Sequence, residues 1–199
     1  MTDQISHEEL KEFYNKGILA FEKKNYDYAI EIFSQILSSK YDHLEARHYL
    51  HLSLKNKLGA IKPSFITNTV NSLNRLIGTF KAEVLLKKGD ISVALEKLET
   101  IIMANPNDDL TLKKIADIFY KNNLISHAIQ NLEEAKSVNP EDIDILRRLG
   151  EIYLKKEDYK NAKSNYEHAL KINPSDPGVL KSLKNLDALG TIQREFTNP

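Results

Sequence analysis

The chain has 199 residues, 41% hydrophobic and 28% charged, enough for one domain or a short repeat array of ordinary composition. Its 28 Lys and Arg balance 28 Asp and Glu, so no global charge points to nucleic acid or to an acidic membrane. It has no cysteine, which excludes disulfides, thiolate catalysis, cysteine-ligated metals and thiol lipidation.

A helix is expected to open at His7, with Ser6 and Glu9 as a capping box, and to run to Lys23. Asn25 breaks it, and a second helix follows over Tyr26 to Ser38 with Ala29, Phe33 and Leu37 on its apolar face. A third covers His43 to Lys57. Pro63 suits a helix start, and Ile66, Val70, Leu73, Ile77, Phe80 and Val84 then step by four and three without a turn signal, so one long helix is expected over 64–88. Its weakest stretch is Asn71 to Asn74, since Asn and Ser are poor helix formers. Gly89 and Asp90 end it, and helices follow over Ile91 to Met103, Asp109 to Lys121, Ile125 to Val138, Ile143 to Lys155 and Tyr159 to Ile172. Asp176 and Pro177 start a last helix, expected to cap the stack over 177–189 and to stop at Gly190, leaving 191–199 as a tail.

A period runs through these elements. Pro106, Pro140 and Pro174 are 34 apart, as are Ala94, Ala128 and Ala162, and as are Ala82, Ala116 and Gly150. Within the last copy, Leu146, Leu149, Gly150 and Tyr153 precede Ala162, Tyr166, Ala169 and Pro174. This pattern, Leu-x2-Leu-Gly-x2-Tyr, then Ala-x3-Tyr and a terminal Pro, resembles the tetratricopeptide repeat, with Leu146 and Tyr166 where Trp and Phe are usual. The resemblance implies an all-α, right-handed α-solenoid of antiparallel helix pairs, with a small residue on each facing helix letting the axes approach. Residues 1–190 read as one such solenoid, with repeats near 10–43, 75–108, 109–142 and 143–176 and a degenerate second repeat over 44–74. That second repeat carries His51 at the small-residue position and Pro63 at the alanine position of its second helix, and the next copy starts at Arg75, three residues early.

Catalytic patterns are missing. GAIKPS after Leu58 lacks the second glycine and Gly-Lys-Ser/Thr ending of a phosphate loop, and no nucleophile elbow occurs. His48 and His51 share a helix face, but no third ligand lies at a workable spacing and Glu45 points elsewhere. No enzyme activity, cofactor or metal is therefore expected. No window of 18 apolar residues exists and the N-terminus MTDQISHEEL is polar, so neither a membrane span nor a secretory signal is read, and a cytoplasmic location is expected.

In proteins of this resemblance the first helices of successive repeats line a concave groove that holds an extended peptide or a partner helix. Counting from Leu10, Leu44, Arg75, Asp109, Ile143 and Pro177, the fifth positions are Tyr14, His48, Thr79, Lys113, Arg147 and Lys181, and the ninth include Ile18, Leu52, Asp117 and Glu151. The expected partner site is thus Tyr14, Ile18, Phe21, His48 and Leu52 in the first half, and Lys113, Asp117, Tyr120, Arg147, Glu151 and Lys181 in the second. Lys113 with Asp117, and Arg147 with Glu151, are alternatively i,i+4 pairs that support their own helices. Tyr14, Ile18, Phe21 and Leu52 form an apolar strip, which takes a hydrophobic anchor or is covered by the long helix. Cochaperones that clamp chaperone carboxylates are set apart, because Tyr14 and Ile18 replace their Lys and Asn and because Asp117 and Glu151 would repel a carboxylate. The lipid-anchored repeat proteins of bacterial pilus and outer-membrane assembly need an N-terminal cysteine that is missing.

The leading expectation is a non-enzymatic scaffold for a partner protein. The alternative is self-assembly through Ile66, Val70, Leu73, Ile77, Phe80 and Val84. Least supported is nucleic-acid binding by the segment 55–90, whose 7 cations against 2 anions give a net charge of +5 but lie on several helix faces.

Overall fold

Ten helices alternate with short turns in the computed structural model, which describes residues 7–58 and 65–197. They are α1 (His7–Glu22), α2 (Tyr26–Ser39), α3 (Leu44–Leu58), α4 (Phe65–Lys88), α5 (Ile91–Ala104), α6 (Asp109–Lys121), α7 (Ile125–Val138), α8 (Ile143–Lys155), α9 (Tyr159–Ile172) and α10 (Pro177–Thr197). No strand occurs among the described residues. Ser6, Pro63 and Ser64, the expected helix-start residues of α1 and α4, lie outside the described residues, as does the side chain of Ile66.

The 34-residue step is written into the backbone. Asn123 and Glu157 take left-handed conformations (φ 60° and 61°), Gly89 sits 34 residues before Asn123 at φ 87°, and Lys24 does the same in the first turn at φ 59°. Each closes its helix with the amide one residue on, bonding back five residues: Asn25 to Ala20, Asp90 to Leu85, Leu124 to Phe119 and Asp158 to Tyr153. The next helix starts are capped on the same step. Asp108 accepts from the Thr111 amide, Asp142 from Asp144 and Ile145, and Asp176 from Val179. In the first repeat His43 takes that place, its Nδ1 accepting from the Ala46 amide at 3.2 Å.

Small residues set the close approaches within pairs. A Cβ on Gly150 would fall on the Tyr166 ring, and one on Gly17 would stand 2.7 Å from the Phe33 ring.

Packing divides the chain into two compact units, Met1–Thr111 and Leu112–Pro199. In the first, α2 packs on α1 and α3, and α5 on α4 and α3, around Ile32, Phe33, Ile36, Leu50, Leu95, Leu98 and Ile102. In the second, α9 packs on α8 and α10, around Leu146, Ala162, Tyr166, Ala169, Val179 and Leu186. Within the first unit α3 also meets α5 directly.

One boundary is corrected. α10 does not stop at 189 but continues through Gly190 to Thr197, so most of the expected tail is helical. A single interior glycine costs a helix only about 1 kcal/mol relative to alanine, less than the propensity of the residues around it restores. The long helix expected over 64–88 is a single helix, α4, with no break at Asn71 to Asn74.

Candidate functional site

In the second unit a cavity of about 280 Å³ opens between α6 and α8, over Leu132 of α7, lined by Ala116, Asp117, Tyr120, Arg147, Arg148, Glu151 and Ile152 among others. Its floor is apolar, with Ala116, Leu132 and Ile152 buried, and its rim is charged. Four of the expected groove residues, Asp117, Tyr120, Arg147 and Glu151, converge here. They do so because residues 117 and 151 hold the same place in their repeats, and the same step that repeats the helices brings the equivalent faces of α6 and α8 side by side.

The pairing of these charges differs from the i,i+4 alternative. Asp117 pairs with Arg148 of the next repeat, whose Nε also reaches Asp144 at 2.9 Å. These bonds outweigh the cost of burial and raise the Arg148 pKa. Arg147 turns to Asp144 at 3.1 Å and stays 45% exposed. Lys113 is spent elsewhere: its Nζ lies 2.7 Å from the Asp142 carboxylate, both side chains 16% exposed. Partial burial works to raise the Asp142 pKa, but the bonds from Lys113 and from the α8 amides prevail and lower it. Lys113 thus ties α6 to the N-terminus of α8, and Lys181 stands exposed on α10. Tyr120 is 40% exposed, with Lys155 Nζ 5.0 Å from its ring centroid.

Rings from α2 and α3 pack on part of the first-half strip. Tyr14 stacks on His43 at 5.4 Å and packs against Phe33 and Tyr49, and Phe21 meets Tyr26 and Tyr49. Ile18 and Leu52 are half-buried and His48 is exposed. His48 and His51 do not act together, because His51 is buried against Glu99. Among the described residues no cluster of three His, Asp or Glu forms a metal site.

Sequence reasoning missed one constellation. Glu99 is buried between Arg47, whose Nε lies 2.6 Å away, and His51 Nε2 at 2.8 Å, while Arg47 also donates to the Tyr41 carbonyl. Burial works to raise the Glu99 pKa, but the charges and hydrogen bonds of His51 and Arg47 prevail and bring it down to about 2. A cavity of about 400 Å³ lies beside this network, lined by Ser34, Tyr41, Arg47, Glu96, Glu99 and Met103 among others. Of the cations in the basic segment, Lys57 pairs with Asp27 and Arg75 with Asp108, while Lys62 lies outside the described residues. No helix among the described residues is long and apolar enough to cross a membrane.

The family model of the tetratricopeptide repeat matches residues 143–176. No curated protein matches the sequence. Among solved structures, the first TPR of Spaghetti (RPAP3) bound to the HSP90 peptide SRMEEVD is similar at TM-score 0.53 and 18% identity, over 60% of this chain and 95% of that one. The second TPR domain of human RPAP3, in complex with an HSP70 peptide, gives 0.52 and 16% over 59% and 98%. The Sgt2 TPR domain from Aspergillus fumigatus gives 0.53 and 16% over 70% and 89%. At these identities the likeness speaks for the fold alone. The chain thus carries a tetratricopeptide repeat at residues 143–176, within helix pairs that follow the same 34-residue step.

Proposed function

We propose that the second unit is a non-enzymatic binding module whose α6–α8 cavity takes an extended segment of a partner protein. The observation that carries this reading is the convergence of Asp117, Tyr120, Arg147 and Glu151 on one cavity with an apolar floor. Two relatives of the fold hold chaperone peptides, which supports peptide binding as a use of this architecture. The ligand here is of a different class. Asp117 and Glu151 disfavour acidic chain ends, and Lys113, one of the cations that would attract them, is tied to Asp142. The segment that fits carries a basic side chain beside Glu151 and the Tyr120 ring, an apolar side chain over Leu132 and Ile152, and an acidic group near Arg147.

Selection from a random peptide library on the immobilised full chain tests this. The expected result is enrichment of peptides with a basic residue next to an apolar one, a shift toward acidic residues with Glu151→Lys, and no capture of SRMEEVD. An unchanged selection profile in both Glu151→Lys and Tyr120→Ala would overturn the reading.

A further inference from the structure

α4 is a two-sided helix. One side faces α5: Ala82 is buried, and Gly78 lies so close that an added Cβ would stand 2.8 Å from Ile101. The opposite side is apolar and bare, with Val70, Leu73, Leu76, Ile77, Phe80 and Val84 exposed, Leu76 at 67% and Phe80 at 66%. An isolated exposed apolar residue needs no explanation, but six along one helix stripe do.

The register of the stripe is a palindrome. Val70, Ile77 and Val84 hold one heptad position (a), and Ile66, Leu73 and Phe80 the other (d). In an antiparallel pair of identical helices each a residue meets a d residue of the second copy, and here they are matched about a centre at residue 75: Val70 with Phe80, and Leu73 with Ile77. The flanking positions agree with that orientation. Antiparallel pairing sets Leu76 beside Leu76, Asn74 beside Asn74 and Thr69 beside Glu83, with no like charges opposed. Parallel pairing would set Leu76, the most exposed of the stripe, beside Lys81.

We propose that α4 pairs antiparallel with α4 of a second copy of this chain, on a two-fold axis passing near Arg75. The contact is self-complementary and closes at two copies. At the exposures observed, the six side chains present roughly 600 Å² per copy, so the pair would bury roughly 1,200 Å², the lower end of the range for specific interfaces. Among the described residues α5 is the one helix that packs extensively on α4, which leaves the opposite face open to a second copy.

Sedimentation equilibrium of the full chain at ~100 µM is the first test. The expected result is a dimer for the wild type and for Glu151→Lys, and a monomer of unchanged helix content for Phe80→Glu, whose side chain is exposed and not needed for the fold. The native absence of cysteine allows orientation to be read with a short bis-maleimide linker. Leu76→Cys should link to itself in high yield. Val84→Cys should not, since the two copies of residue 84 stand about 27 Å apart along the antiparallel pair. A monomeric wild type, a dimer that survives Phe80→Glu or is lost in Glu151→Lys, or self-linking of Val84→Cys in place of Leu76→Cys would overturn the proposal.

Discussion

The Glu99 carboxylate accepts from Arg47 Nε at 2.6 Å with both residues buried, 52 positions apart in sequence. This bond joins α3 directly to α5. Removing one partner strands the other charge in the interior, which costs about 3–5 kcal/mol. Glu99→Ala should lower stability in urea by that order. Glu133→Ala, one repeat later at the equivalent position, should cost less, about 1–2 kcal/mol, because Glu133 is 40% exposed, its pair with Lys136 is screened by water, and what it loses besides is one hydrogen bond from the Tyr153 hydroxyl.

The same carboxylate sets a pH dependence. Its pKa falls from the ordinary 4.5 to about 2 in the folded chain, with burial overcome by His51 and Arg47. The unfolded chain therefore takes up the proton first on acidification. The stabilisation is complete above about pH 4.5 and is lost as the pH falls toward 2, amounting to about 3 kcal/mol. Urea midpoints from pH 6 to pH 2 should show this loss, and Glu99→Gln should flatten that part of the curve.

The helix pairs were legible because each repeat states its own rules. Gly150 and Tyr166 declare a close pair, the Asp residues at 108, 142 and 176 declare helix starts, and the charges on the rim of the α6–α8 cavity fall at counted positions. The buried network was not legible, and the reason is physical. Glu99 belongs to a 34-residue series with Glu133 and Glu167, which are 40% and 51% exposed, so the pattern marks it as a solvated residue. Its burial goes with the direct contact of α3 and α5, across which Arg47 and His51 reach it. Arg47 and His51 are four apart on α3, and that pairing of two charged residues at interior positions was the one available sign. The charge partners on α6 and α8 were not legible for a related reason: i,i+4 spacing counts neighbours within a helix, whereas Arg148 reaches Asp117 of the preceding repeat and Asp142 reaches Lys113 of another helix.

His43 should give a second, milder pH step. Its Nδ1 accepts from the Ala46 amide at 3.2 Å, which requires the neutral ring. Burial lowers its pKa from the ordinary 6.5, against the opposing pull of Glu45. The folded chain resists protonation more than the unfolded chain does, so the cap's contribution is present above about pH 6.5 and is lost as the pH falls below it. His43→Asn keeps a capping oxygen without a titrating group. Thermal melts at pH 7.5 and 5.5 should differ less for this variant than for the wild type.

The left-handed turn residues make a graded series. Lys24, Asn123 and Glu157 hold φ near 60° with a side chain present, while Gly89 holds φ 87° without one. A Cβ atom disfavours this conformation by roughly 1–2 kcal/mol, and Asn tolerates it best of the three. Glu157→Gly and Lys24→Gly should raise the melting temperature slightly, Asn123→Gly should change it least, and Gly89→Ala should lower it by the equivalent of about 1 kcal/mol.

Asp142 does two jobs that substitution can separate. Its carboxylate accepts from the Asp144 and Ile145 amides at the start of α8 and pairs with Lys113 of α6. Asp142→Asn keeps a side-chain oxygen for the amides and removes the charge, so it should cost about what Lys113→Ala costs, on the order of 1–2 kcal/mol for a pair with both side chains 16% exposed. Asp142→Ala loses the cap as well and should cost about 1 kcal/mol more. The double variant Asp142→Asn with Lys113→Ala should cost less than the two single changes added together, since each removes the same ion pair. If Lys113 instead serves the groove, Lys113→Ala would leave urea stability unchanged and alter the selected peptides, the opposite pattern from the one expected.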